Sequence, residues 1–275
     1  MNTDICERSI TLDFQSQHYM DVHLNFRRHI TDQGHLMERA LVEMILLEVR
    51  CCDLKRLRLA SIGPGTGILD APLVALLQEH VEVEYLGVDP NKFELDMARR
   101  RFSAAGIENY ELREGIFEDL GPEYAGTFDV IIAVHVTYYS SDVRPMISKA
   151  MEMLAPEGKL MTMVSSNTPQ NELFKDTTRP ERGFDPVMSA EYRQLLSELG
   201  QEYTVGTLKA EIDLTAYQEN PESEGSYRFL DFFLHADSRS LPEDRLRRYR
   251  RVIENQMIRD GARAILPHHV DLVIS

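Results

Sequence analysis

The sequence predicts an open α/β sheet with helices on both faces, and three observations carry that prediction. Residues 57–62 form an apolar-rich run of strand length that breaks into Gly63-Pro64-Gly65-Thr66-Gly67, and a helical pattern begins at Ile68. A second apolar run, residues 83–88, ends in Asp89-Pro90-Asn91. A third, residues 130–134, ends in His135, with Tyr138 and Tyr139 in the loop beyond. Strand, glycine turn and helix in this order make a nucleotide cradle. Glycine allows a sharp turn and close approach of backbone to ligand, and the N–H groups that open the next helix are unpaired. Ligands of open α/β sheets lie at the carboxyl ends of the strands, where Asp89 is placed to accept hydrogen bonds from ribose hydroxyls.

The loop spacing narrows the ligand. Dinucleotide folds use G-x-G-x-x-G, whereas this loop is G-x-G-x-G with Ile at position 68. The compact form resembles the glycine loop of class I methyltransferases. Met153-Leu154-Ala155-Pro156-Glu157-Gly158-Lys159-Leu160 resembles the turn those enzymes carry before their fifth strand. The resemblance implies a Rossmann-like, seven-stranded sheet with a small inserted substrate-binding portion, and S-adenosylmethionine as cofactor. The expected cofactor contacts are Gly63, Pro64, Gly65 and Gly67 in the loop, Asp89 and Pro90 after the second strand, Ile116 and Phe117 beside the adenine, and Val134.

Composition excludes several function classes. The 275 residues are 43% hydrophobic and 27% charged, which describes an ordinary globular chain. A net charge of −15 argues against nucleic acid, whose binding depends on Lys and Arg at phosphates. The basic cluster from Arg245 to Arg251 reads as the solvated face of a helix that starts near Pro242. No apolar run has the length of a membrane span. The first residues lack the features of a signal peptide, and three cysteines form no metal spacing or disulfide framework. The expectation is a cytoplasmic protein with a small-molecule partner, no metal, and an oligomeric state the sequence leaves open. Cys51 and Cys52 are expected to pack at a helix end.

Three regions follow along the chain: residues 1–52 as an N-terminal helical lid, 53–165 as the cofactor-binding core, and 166–275 as substrate-binding insertions plus the end of the core sheet. In the first, Tyr19, Val22 and Phe26 recur at helical spacing, and a second helix over residues 35–49 is expected to bury Leu36, Ala40, Val42, Leu46 and Leu47. Residues 166–188 are polar and punctuated by Pro and Gly, which predicts an inserted loop. Ser189 is expected to cap the helix after it. Residues 219–237 form a further insertion rich in Tyr and Phe, and residues 265–274 a closing strand with Pro267-His268-His269 at its middle.

Taken together, these segments resemble the histamine N-methyltransferase family over nearly the full chain. The resemblance is carried by Asn25-Phe26-Arg27-Arg28, the loop from Ser61 to Gly67, Tyr138-Tyr139, Leu230-Asp231-Phe232-Phe233, and the terminal strand after Gly261. It implies methyl transfer from S-adenosylmethionine to an imidazole nitrogen, with Gly63, Asp89, Glu94, Phe117 and Val134 around the cofactor. Asp89 and Glu94 stand where the family has Glu and Gln. The family's substrate-side Glu, Gln and Asn fall on Asp32 or Gln33, on His135 and on His268, and this chain has no Trp. Tyr19, Phe26, Tyr139, Phe174 and Phe232 are the expected aromatic walls.

Methyl transfer is an in-line displacement, so the protein mainly holds a nucleophile against the methyl carbon. A neutral nitrogen needs little else, whereas a phenol or carbon nucleophile gains from a base. His135, at the end of the central strand, is the expected base, with Tyr138, His268 and Asp32 as further catalytic candidates. Turnover is then expected to fall as pH drops through the ordinary His range. The leading expectation is N-methylation of a small aromatic or heteroaromatic amine. Its alternatives are C- or O-methylation of a specialised metabolite, and a catalytically silent binding module that keeps the cofactor fold.

Overall fold

A computed structural model describes residues 12–13, 15–29 and 33–275, with backbone only for residues 33, 34, 178 and 180–182. Asp32, one of the candidate catalytic residues, lies outside the described residues, as does the side chain of Gln33. Two helices, α1 (Gln17–Arg27) and α2 (Gln33–Cys51), precede the sheet. The core follows as β1 (Arg56–Ile62), α3 (Asp70–Gln78), β2 (Glu82–Asp89), α4 (Lys92–Ala104), β3 (Tyr110–Glu114), β4 (Phe128–Val134), α5 (Arg144–Met153) and β5 (Leu154–Ser165). Then come α6 (Pro169–Arg182), α7 (Ser189–Glu198), β6 (Thr204–Leu208), β7 (Glu211–Asp213), α8 (Thr215–Glu219), α9 (Glu224–Leu234) and α10 (Glu243–Gln256). The chain closes with β8 (Ile258–Asp260), β9 (Arg263–Pro267) and β10 (Val270–Ile274).

Seven strands form one sheet in the order β3-β2-β1-β4-β5-β10-β6, as expected, with β10 antiparallel to both neighbours. Its central strands β1, β2, β4 and β5 are apolar on both sides because helices cover both faces. Leu57, Leu59, Val83, Tyr85, Val130 and Ile132 pack under α2 and α3. The alternating residues Ala60, Ile62, Leu86, Val88, Ile131 and Ala133 pack under α5 and α7 on the other face. Register sets the site: Ile62 pairs with Val88 on one side and Ala133 on the other, so Gly63, Asp89 and Val134 emerge side by side. The strand order reverses between β1 and β4, which opens the crevice at this edge.

A smaller unit sits beside the sheet. Strands β7, β9 and β8 form an antiparallel sheet that packs with α9 and α10 around Ile212, Tyr217, Phe229, Leu230, Tyr249 and Leu266. Phe26 joins this cluster and docks α1, with its ring centroid 4.4 Å from that of Phe232 and 5.7 Å from that of Phe229. The basic helix α10 is amphipathic, and its arginines pair with carboxylates: Arg248 with Asp176, Arg250 with Glu222, Arg247 with Glu243. Among the described residues no helix is long and apolar enough to cross a membrane.

Several expectations are corrected. Helix α2 buries Met37, Leu41, Ile45 and Val49, a stripe at four-residue spacing, while Leu36, Ala40, Val42 and Leu46 are only half-buried and Leu47 is exposed. It packs on the sheet as a core helix and reaches the crevice through Met37, while α1 lies across it. Residues 166–188 are not simply a loop, because Thr168 caps α6 by accepting from Asn171 N–H, Pro169 occupies the first turn, and Leu173, Phe174 and Thr177 are buried. Ser189 does not cap α7; its hydroxyl donates to Asp271. The insertion over residues 219–237 is mostly helix α9, capped by Ser223. The closing strand is two strands in different sheets, β9 and β10, with His268 and His269 in the turn between them. Cys51 and Cys52 are exposed, not packed.

Phe26 is one of the buried contacts that dock α1, beside Tyr19 and Val22, so the change Phe26→Ala is expected to cost about 3–5 kcal/mol of that docking. Amide exchange should then accelerate over residues 17–27 while β1 and β4 stay protected. Equal acceleration across the sheet would show instead that α1 is inseparable from the core.

Candidate functional site

After β1 the chain enters the glycine loop, where Gly63, Gly65 and Gly67 all have positive φ, +67°, +56° and +69°. A Cβ on Gly63 would stand 2.5 Å from Val136 Cγ1, and one on Gly67 would stand 2.9 Å from Ala98 Cβ. Both conformation and space therefore exclude side chains. Gly65 N–H donates to Asp89 Oδ2 at 2.9 Å, and Asn91 N–H donates to Asp89 Oδ1 at 2.7 Å. One carboxylate thus ties the loop to the start of α4, which Asn91 also caps by accepting from Phe93 and Glu94 N–H. Burial, then the nearby Glu94 charge, pushes Asp89 up to about 7. The Arg101 guanidinium donates to Thr66 O, while Thr66 Oγ1 is buried with no partner among the described residues.

The loop opens into a cavity of about 330 Å³, within the range of small-molecule sites. On one side lie Pro64, Asp89, Pro90, Glu94, Ile116 and Phe117. Opposite them, β4 delivers Val134 and His135. His135 has φ +57°, uncommon for a non-glycine residue, and its N–H donates to Met163 O at 2.8 Å. His135 Nδ1 is 3.0 Å from Tyr138 Oη, which in turn accepts from Ser165 N–H at 2.6 Å. Burial first, then His268, Arg27 and His23, lowers His135 to about 3. Burial and the neighbouring His269 lower His268 to about 4. With His135 lowered this far by burial, a fall of turnover caused by its protonation would lie well below the ordinary His range.

Helix α1 lies across the cavity. Tyr19, His23 and Arg27, four residues apart, share the face that lines it. Tyr19 Oη is 2.5 Å from Tyr139 Oη, and His23 Nδ1 is 2.8 Å from Glu94 Oε1. Phe232 of α9 stacks on His23 at 5.1 Å, and Phe174 of α6 meets His235 at 4.0 Å.

The structure thus brings Tyr19, Phe26, Gly63, Pro64, Gly65, Asp89, Pro90, Glu94, Ile116, Phe117, Val134, His135, Tyr138, Tyr139, Phe174, Phe232 and His268 to one cavity. Gly67 does not line it and instead packs on α4. Sequence reasoning missed His23, Arg27, Asn171 and His235. The first two follow Tyr19 at helical spacing and were readable from it. Asn171 needed the helix that the polar stretch concealed, and His235 reaches the cavity through a left-handed cap at the end of α9.

Comparison with known proteins bears on the fold. Residues 60–160 match the family model of a methyltransferase domain. The YcgJ protein of Bacillus subtilis superposes with a TM-score of 0.55 at 17% identity, covering 80% of this chain and 91% of that one. The fold is that of the class I methyltransferases. A second structure, geranyl diphosphate C-methyltransferase of Streptomyces coelicolor, aligns over 98% of this chain and 89% of its own with a TM-score of 0.52 at 14% identity. Among curated sequences, the ubiquinone biosynthesis O-methyltransferase of Azorhizobium caulinodans is 30% identical over 115 residues, 42% of this chain and 43% of that protein. Lovastatin diketide synthase of Aspergillus terreus is 27% identical over 194 residues, 61% of this chain and 8% of that protein. The chain spans less than half the length of these curated relatives.

In this methyltransferase fold the raised Asp89 makes a prediction with a definite sign. A carboxyl raised from its ordinary value to about 7 favours the fold when protonated, so its contribution is complete below about pH 4 and is lost as pH rises through about 7. The unfolding free energy of the ligand-free protein, taken relative to an Asp89→Asn variant, should therefore decline from pH 4 to 7 by up to ~4 kcal/mol. A difference independent of pH would show that Asp89 is ionised throughout.

Proposed function

We propose that the chain transfers the methyl group of S-adenosylmethionine to an oxygen or carbon atom of a small aromatic or unsaturated acceptor. The observation that carries this reading is the His135–Tyr138 pair at the carboxyl end of β4, set between the glycine loop and an aromatic-walled chamber. The residues present fit the cofactor. Asp89 offers acceptors for ribose hydroxyls, and Ile116 and Phe117 offer an apolar seat for adenine. The loop offers backbone that no side chain obstructs. Arg27, whose charge acts on that of neighbouring Arg101, would pair with the carboxylate of the amino-acid end. When bound, S-adenosylmethionine supplies an electrophilic methyl group on a sulfonium.

The chain's own residues do the rest. Helix α1 closes the chamber against water and the aromatic walls align the acceptor. His135, kept neutral by burial and held by Tyr138, accepts a hydrogen bond from the acceptor hydroxyl. As the oxygen–carbon bond forms, that proton becomes strongly acidic, so an imidazole of low basicity suffices to take it. The names of the curated relatives, an O-methyltransferase and a diketide synthase, support oxygen or carbon as the reacting atom. The second reading is N-methylation of a neutral ring nitrogen, as the resemblance to histamine N-methyltransferases implies. The depressed basicity of His135 favours it, because such a nucleophile needs no base.

Incubation with labelled S-adenosylmethionine and a panel of phenols, keto acids, indole amines and histamine tests both. Label on an oxygen or carbon is the expected result. Label on the histamine ring would establish the second reading, and cofactor binding without transfer to any acceptor would favour a silent module. His135→Gln should lower turnover at least a hundredfold with cofactor affinity nearly unchanged. Retention of most turnover would reduce His135 to a positioning role. Gly65→Val should weaken cofactor binding at least tenfold, ~1.4 kcal/mol, and unchanged affinity in calorimetry would remove the loop from the site.

A further inference from the structure

The cavity is divided by charge. The carboxylates that line it, Asp70, Asp89, Glu94 and Glu118, all come from the run between α3 and the turn after β3. Three of them are engaged within the protein: Asp70 accepts from Tyr85 Oη at 2.7 Å, Asp89 accepts two backbone N–H groups, and Glu94 meets His23. The opposite half is built by α1, the turn after β4, α6, α9 and the turn between β9 and β10. Among its described residues no carboxylate lines the cavity. That half holds instead the imidazoles of His23, His135, His235 and His268, while Arg27 of α1 lies toward Arg101 and the glycine loop.

An ammonium ion entering this half would leave water without an unengaged counter-ion beside it, since Glu94, whose charge reaches Tyr19 and Tyr139, is already held by His23; burial makes that loss severe. Aromatic rings can offset it only by presenting open faces to the cation. Here the faces are already taken: Phe232 lies against His23 at 5.1 Å and Phe26 at 4.4 Å, and Phe174 lies against His235 at 4.0 Å. The Tyr19 and Tyr139 hydroxyls are engaged with each other. What the half does offer is uncharged hydrogen bonding. His135 and His268 are neutral at physiological pH because they are buried, and His268 Nδ1 is buried with no partner among the described residues. Asn171 adds an amide fixed by its donation to Ser166 O at 2.8 Å.

We propose that the acceptor binds uncharged, as a planar ring or enol that presents a hydroxyl, carbonyl or unprotonated ring nitrogen to His135 and His268, and that protonated amines are excluded. The inference rests on the methyltransferase reading and names its acceptor class. It removes histamine and other alkylamines in their protonated form, although the chain's overall negative charge would attract them.

Three phenols with the same ring test it: p-cresol, tyramine and 4-hydroxyphenylacetate carry a neutral, a cationic and an anionic side chain. Their dissociation constants are measured by NMR titration against the full chain saturated with S-adenosylhomocysteine. Binding of p-cresol at least tenfold tighter than tyramine is expected. Tyramine binding equally or more tightly, 4-hydroxyphenylacetate binding tenfold tighter than p-cresol, or no binding by any of the three would overturn the inference. S-adenosylhomocysteine binding is measured first in the same samples, and its absence would refute the methyltransferase reading itself. His268→Glu, which adds a carboxylate to the uncharged half, should shift the preference at least tenfold toward tyramine. An unshifted preference in a variant that still binds S-adenosylhomocysteine would overturn the assignment of that half to the acceptor, and the wild-type series decides the question without this variant.

Discussion

The carboxylate of Asp89 accepts the N–H groups of Gly65 and Asn91, and much of the site depends on that double contact. It fixes a loop whose glycines have left-handed backbone and therefore few conformational restraints of their own. It also fixes the start of α4, from which Glu94 projects to meet His23 of α1. Loop, helix and lid are thus linked in series through two buried acidic groups. Sheet register makes the linkage possible, since pairing of Ile62 with Val88 and Ala133 brings the three strand ends to one level. A slip of one residue in any of these strands would turn its apolar side chains to the wrong face and break the arrangement.

Burial has opposite consequences in the two halves of the cavity. On the cofactor side it raises Asp89 into the neutral range, so that hydroxyl donors arriving from a ribose would favour the ionised form. On the acceptor side it holds His135 and His268 neutral, so that they act as hydrogen-bonding groups rather than charges. The left-handed backbone at His135, supported by its N–H bond to Met163 O, places the imidazole at the boundary between the halves. Strain of this kind persists only where surrounding contacts over-determine it. Here the contacts are a paired strand on one side and the Tyr138–Ser165 hydrogen bond on the other.

The core was legible because its signals are local. Apolar runs bounded by glycine or by Asp-Pro announce buried strands, and the carboxyl-end rule then places Gly63, Asp89 and His135 together. The acceptor side was less legible because its elements are chosen by tertiary contacts. Helix α6 reads as polar loop until Leu173 and Phe174 find α9 and the core to pack against. The run from Ile265 to Ile274 looks continuous, yet β9 follows β7 into the small sheet while β10 joins β5. For α2 the helix was evident but not its phase, since apolar residues surround most of it and only packing selects Met37, Leu41, Ile45 and Val49. His235 lay beyond reach, because its approach to the cavity depends on the cap that ends α9.

The account's central claim is that the glycine loop and Asp89 form the S-adenosylmethionine site. Calorimetric titration of S-adenosylhomocysteine into the ligand-free protein near pH 7, in two buffers of different ionisation heat, tests it most directly. The account predicts one site, with release of a fraction of a proton as ribose hydroxyls draw Asp89 into its ionised form. It also predicts that the proton release disappears in an Asp89→Asn variant. Absence of binding, or binding with the same proton release in that variant, would contradict it.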